Sequence, residues 1–151
     1  MISNELLSEF QKIQNHKTPV AYAWNHALDY LKFPKHSAWR EFGEKFAKSH
    51  PDLTYSPNAY HNQIHSAEAI FSAAIFVKEE FNSKELDKYA PYLLFGMMCH
   101  DIEHNGGHNK QPYELEKLAV QSMKEHLNQK EMNKKKQITE QIFYFQRITF
   151  W

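Results

Sequence analysis

Pro57-Asn58-Ala59-Tyr60-His61-Asn62-Gln63-Ile64-His65-Ser66-Ala67-Glu68-Ala69-Ile70-Phe71 opens the stretch that decides the fold. Ile64, Phe71 and Ile75 fall on one stripe at helical spacing. Proline at the first helical position costs no hydrogen bond, because that N–H has no partner inside the helix. A long helix over residues 57–80 is therefore expected.

The same character extends both ways along the chain. Glycine is scarce, four in 151 residues, and strand-like alternation is almost absent, so an all-α domain is predicted. Thr18-Pro19 opens one helix with a capping hydroxyl, and Ala23, Ala27, Tyr30 and Leu31 follow its apolar face. Ser37 caps a second, which buries Trp39, Phe42 and Phe46. Residues 49–56 read as a loop. Pro91 is expected to break or restart the helix that delivers Cys99 and His100. Asn105-Gly106-Gly107-His108-Asn109 cannot continue that helix, so His104 is placed at its end. Pro112 begins another helix, to about residue 128. With no repeat, low-complexity tract or linker, residues 1–151 are expected to form one domain.

Composition narrows the function. Lys plus Arg balance Asp plus Glu at 18 each, so no net positive field recruits nucleic acid or an acidic membrane. Lys134-Lys135-Lys136 reads as a solvated helix face. The single cysteine, Cys99, excludes an internal disulfide and a cysteine-based zinc site; in an apolar run it reads as a buried, inert thiol. The amino terminus lacks the features of a signal peptide, and the apolar run 91–99 is too short for a bilayer. A cytoplasmic location is expected. Residues 138–151 are apolar almost all round, as in a helix covered on every side. Either a second copy of the chain covers it, or the natural protein continues beyond Trp151; the latter is the expectation.

The chemistry lies in two clusters. His61 and His65 are four residues apart, on one helix face. His100-Asp101-Ile102-Glu103-His104 places a His-Asp doublet one turn before another histidine. Imidazole plus carboxylate suits Mg, Mn, Fe, Ni or Zn rather than a soft thiolate site. If the two helices cross, His65, His100 and Asp101 meet at one ion, which would acidify a water to a hydroxide nucleophile and polarise a phosphoryl oxygen. His61 would stand beside the ion, where a general acid must be to protonate a leaving alkoxide. His104 would bind a second ion or a phosphate oxygen, and the amides of Gly106 and Gly107 would help to cradle an anion.

Over residues 55–120 this arrangement resembles the HD superfamily of metal-dependent phosphohydrolases. It looks most like the cyclic nucleotide phosphodiesterase branch, whose motifs run Tyr-His-Asn-x-x-His and His-Asp-x-x-His-Pro-Gly-x-x-Asn. Here Asn105 stands in the proline's place, while Gly106 and Asn109 match. The resemblance implies an HD-type helical bundle of about six to seven helices. It makes His65, His100, Asp101 and His104 metal ligands for one or two divalent ions, and His61 with Asp101 catalytic. Tyr60, Asn62 and Asn109 become substrate-binding residues, and the substrate a small phosphoester, cyclic nucleotide included. The family completes its site with a further aspartate on a later helix, and no aspartate follows Asp101 in this sequence. A domain lacking its C-terminal helices would explain that. Otherwise water or a glutamate substitutes, with Glu114 and Glu116 nearest, or the chain is a catalytically incomplete module that senses a metal or nucleotide.

Other residues have ordinary readings. His16, His26, His36, His50 and His126 read as solvated or hydrogen-bonded, and His108 as a loop residue near the site. Glu68 reads as a ligand-orienting or plain surface carboxylate, and Asn62 also as a helix cap. Trp24, Trp39, Phe42 and Phe46 are core.

Overall fold

The computed structural model describes residues 4–111 and 113–130. The predicted all-α architecture is what these residues form: seven helices and no strand among them. In chain order they are α1 (Asn4–Gln14), α2 (Pro19–Tyr30), α3 (Ala38–Ser49), α4 (Pro51–Thr54), α5 (Gln63–Glu80), α6 (Ser83–Cys99) and α7 (Glu114–Lys130). α5 lies between α2 and α6. Trp24, Leu28, Ile70, Phe71, Leu94, Phe95 and Met98 are fully buried where these three meet. The Trp24 and Phe95 rings pack edge to face, 6.2 Å apart. No helix among the described residues is long and apolar enough to cross a membrane.

Several element boundaries differ from expectation, each for a local reason. The central helix begins at Gln63, not at Pro57. Asn62 caps it, its Oδ1 accepting from the backbone N–H of Ile64 at 3.0 Å and of His65 at 3.2 Å. The buried stripe of α5 is Ala67, Ile70, Phe71, Ala74 and Val77, whereas Ile64 and Ile75 are only half-buried. α6 begins at a capping box made by Asn82 and Glu85 and runs through Pro91 without interruption. Ala90, Pro91, Leu94, Phe95, Met98 and Cys99 are buried together, and that packing outweighs the backbone hydrogen bond proline cannot donate. Within the expected loop 49–56 lies the short α4, capped by the Nδ1 of His50, which accepts from the Asp52 N–H at 3.3 Å. Thr18 and Ser37 do precede helices, but neither side chain makes a capping bond; the Thr18 hydroxyl sits 3.3 Å from His16 Nδ1 instead.

α5 and α6 are joined by Phe81 and Asn82 alone and so run antiparallel. The start of α5 therefore meets the end of α6, which brings His65 to His100. α6 closes at Cys99, with His100 as its cap, so His104 stands in the following turn rather than on the helix. Cys99 is buried, and burial pushes its thiol up, as expected of an inert side chain. Pro112, Lys134-Lys135-Lys136 and the apolar segment 138–151 lie outside the described residues.

Candidate metal centre

His65 projects from the first turn of α5, and His100 and Asp101 from the end of α6. His65 Nε2 and His100 Nε2 are 3.2 Å apart, and each lies 3.1 Å from Asp101 Oδ2. Atoms bound ~2.1 Å from one ion are ~3.0 to 3.4 Å apart at coordination angles of ~90 to 109°. The three atoms therefore have the spacing of one face of a coordination polyhedron, and the donor set fits a divalent ion. His100 is fixed for that task, because its Nδ1 donates to the Met97 carbonyl at 2.6 Å and leaves Nε2 facing inward.

His61 lies just before the Asn62 cap and reaches the same oxygen, with Nδ1 2.7 Å from Asp101 Oδ2. Its ring stacks on that of His104, with centroids 3.6 Å apart and planes 16° from parallel. His61, Asp101 and His104 form a second group whose ligand atoms lie close together. The stack argues against an ion held by both imidazoles. Lone pairs lie in the ring planes, so an ion bound to both nitrogens would stand ~1.8 Å out of each plane at ordinary bond lengths of ~2.1 Å. His104 Nδ1 accepts from the Gly106 N–H at 3.0 Å, which leaves Nε2 as a donor. A donor suits a phosphate oxygen better than a metal.

Charge is unevenly distributed. Burial works to raise the Asp101 carboxyl, but hydrogen bonds from His100 and His61 and their charges outweigh it and hold the group well below the carboxylate range. Burial lowers the His65 imidazole, with the neighbouring charge of His100 acting in the same sense. His104 is lowered likewise, by burial and then by His61. His100 goes the other way. Burial opposes its charge, but the hydrogen bond to Asp101 and that carboxylate's charge raise it.

Two clefts open from this centre and share His61, Asp101 and His104. One, of about 440 Å³, runs past Asp52, Ser56 and Asn58. The other, of about 370 Å³, runs past Gly106, His108 and Glu116. Tyr60 is 65% exposed at the rim, its ring 4.7 Å from that of His65. Asn62 has its whole amide engaged, since Nδ2 donates to the carbonyls of Asn58 and Ala59 while Oδ1 caps α5. Asn109 is tied to the start of α7, accepting from the Leu115 N–H at 2.7 Å and donating to Glu116 at 3.0 Å. Of the two glutamates expected nearest the site, Glu116 lines the second cleft, while Glu114 accepts from the Lys110 N–H. Glu68 accepts from Gln14. His26 pairs with Glu9 at 2.9 Å, and His126 with the Ser49 hydroxyl at 3.0 Å.

Sequence reasoning missed Asn58. Its Oδ1 accepts from the N–H groups of Tyr60 and His61, at 3.1 and 3.0 Å, and its Nδ2 donates to the His104 carbonyl at 3.4 Å. One amide thus ties the two histidine clusters together. Asparagine is a turn signal because its side chain bonds the backbone just ahead of it, but the bond across to His104 has no local signature.

The sequence matches no family model, and it has no significant match among curated proteins or among solved structures.

Proposed function

We propose that this chain is a metal-dependent phosphohydrolase of the HD type, acting on a phosphodiester that carries a single negative charge. The observation that carries it is the triangle of His65, His100 and Asp101 with His61 hydrogen-bonded to the same carboxylate oxygen. A divalent ion there supplies the acidification of a water and the polarisation of a phosphoryl oxygen. The remaining work falls to the side chains. Asp101 holds His61 by Nδ1, so Nε2 faces outward to protonate the departing oxygen as the bond from phosphorus to that oxygen breaks. His104 Nε2 donates to a phosphoryl oxygen and helps to orient the ester.

Charge favours a diester over a polyphosphate. No lysine or arginine lines either cleft among the described residues, whereas Asp52, Asp101, Glu103 and Glu116 do. A triphosphate would meet carboxylates without a cationic clamp. Nucleotide diesters, cyclic ones included, fit that restriction. Glu116 lines the second cleft but belongs to neither group of candidate ligands among the described residues.

A second reading is a module that binds metal without turnover. The three-membered ligand set among the described residues favours it. Calorimetric titration with Mn(II), followed by assay with bis-p-nitrophenyl phosphate, separates the two. We expect Asp101→Ala and His65→Ala to abolish binding. His61→Ala should keep the metal and lose ~10²- to 10⁴-fold in kcat. Mn(II) bound without hydrolysis points to the module, and binding that survives Asp101→Ala rules out the ligand assignment.

A further inference from the structure

We propose that Asp52 is a positioning residue for His104, acting through the backbone of Glu103. The inference rests on His104 facing the phosphoryl group, as described above. Glu103 takes a left-handed backbone conformation, φ 64°, which side chains other than glycine rarely adopt. Such a turn persists where its surroundings over-determine it. Here they do. Asp52 Oδ2 on α4 accepts from the Glu103 N–H at 2.8 Å. The Ser122 hydroxyl on α7 donates to Glu103 Oε1 at 3.2 Å.

The two anchors are themselves connected through His50, which is 3% exposed. Its Nδ1 accepts from the Asp52 N–H at 3.3 Å, and its Nε2 faces the Ser122 hydroxyl at 3.5 Å. With Nδ1 accepting, Nε2 carries the proton, and the hydroxyl it faces passes its own on to Glu103. The directions agree all the way round. Asp52, Glu103, Ser122 and His50 thus form a closed circuit that clamps α4, the turn after the His-Asp doublet and α7. None of its members belongs to the group of His65, His100 and Asp101, and His100 has its own anchor in the Met97 carbonyl, so the clamp bears first on His104.

The test uses the whole chain in two ways. In metal-free protein, Asp52→Ala should shift the imidazole NMR signals of His104 and of its stacking partner His61, and leave those of His65 and His100 in place. Asp52→Asn keeps an acceptor oxygen and should restore the wild-type spectrum. With Mn(II) and bis-p-nitrophenyl phosphate, Asp52→Ala should lose about ten- to a hundredfold in kcat with Mn(II) affinity unchanged. In a His104→Ala background the same change should cost nothing further, because the two share one function. An equal loss in that background, or His65 and His100 signals moving together with His104, overturns the proposal. Wild-type protein that neither binds Mn(II) nor hydrolyses the ester overturns the phosphohydrolase reading, while the spectra still decide the role of Asp52.

Discussion

Gly106 shows how tightly single residues are constrained around the centre. Its φ is +80°, and a Cβ added there would stand 3.0 Å from Asn58 Nδ2, the atom that reaches the His104 carbonyl. Gly106→Ala should therefore destabilise by about 1 to 3 kcal/mol, the range for a side chain forced into left-handed backbone. Urea denaturation beside Gly107→Ala gives the comparison. Gly107 has no positive φ and would meet only the side-chain end of Asn105, so its alanine should cost less. At this scale the sequence was informative wherever chemistry follows spacing. His65, His100 and Asp101 were legible because a histidine on one helix and a doublet at the end of the next imply convergence, whereas His61 reaches Asp101 from the turn before α5 and not from the helix face it was expected to share with His65. Asn58 and Asp52 were not, because each acts through a backbone group some 46 to 51 residues away.

Element boundaries depend on competition between local signals. Asn58 and Asn62 both cap backbone N–H groups, and only the second has a helix behind it. Pro57 is consistent with either choice, which is why the expected start was six residues early. The end of α2 is another such case. Lys32 takes φ 61°, the Lys32 N–H bonds to Asp29 O, and the Phe33 N–H bonds to Leu28 O. That is a Schellman ending with lysine where glycine is usual, so no glycine marks it. Gly43, by contrast, belongs to packing. A Cβ there would fall 2.1 Å from the indole of Trp24, which is fully buried and donates to the Arg40 carbonyl. Gly43→Ala should thus cost at least ~1 to 3 kcal/mol through overpacking of α3 on α2. A lowered urea midpoint with altered Trp fluorescence is the expected result, and an unchanged midpoint would refute the close approach.

Among the described residues, one buried core centres on α2, α5 and α6; Ile13, Phe46, Leu53 and Met123 bring the outer helices into it, and polar contacts add to that attachment. Glu9 on α1 is the plainest attachment, bonded to Lys12, to His26 Nε2 at 2.9 Å and to the Tyr22 hydroxyl at 3.4 Å. Burial works to raise its carboxyl, but Lys12 and His26 outweigh burial and lower it. The unfolded chain then takes up the proton first as pH falls. Stability from Glu9 is complete above about pH 4.5, the ordinary value, and is lost as pH falls through the depressed folded value. Urea midpoints from pH 6.5 down to 3.5 should fall less steeply in Glu9→Gln than in wild type, and equal slopes would remove Glu9 from the account. The helical class and the order of α2, α3, α5, α6 and α7 were readable from apolar spacing and stop signals, whereas α4 fell in a stretch read as loop; the cross-chain attachments were not readable either, since a carboxylate's partner cannot be read from its neighbours. A last consequence belongs to Asp101 Oδ2, against which three imidazole nitrogens converge. Such a cluster holds protons in the places an ion would take, so loading it is an exchange of hydrogen ions for a dication rather than a simple addition. The acidity of the surroundings thereby becomes a dial on occupancy, turned down as imidazoles hold their protons more firmly.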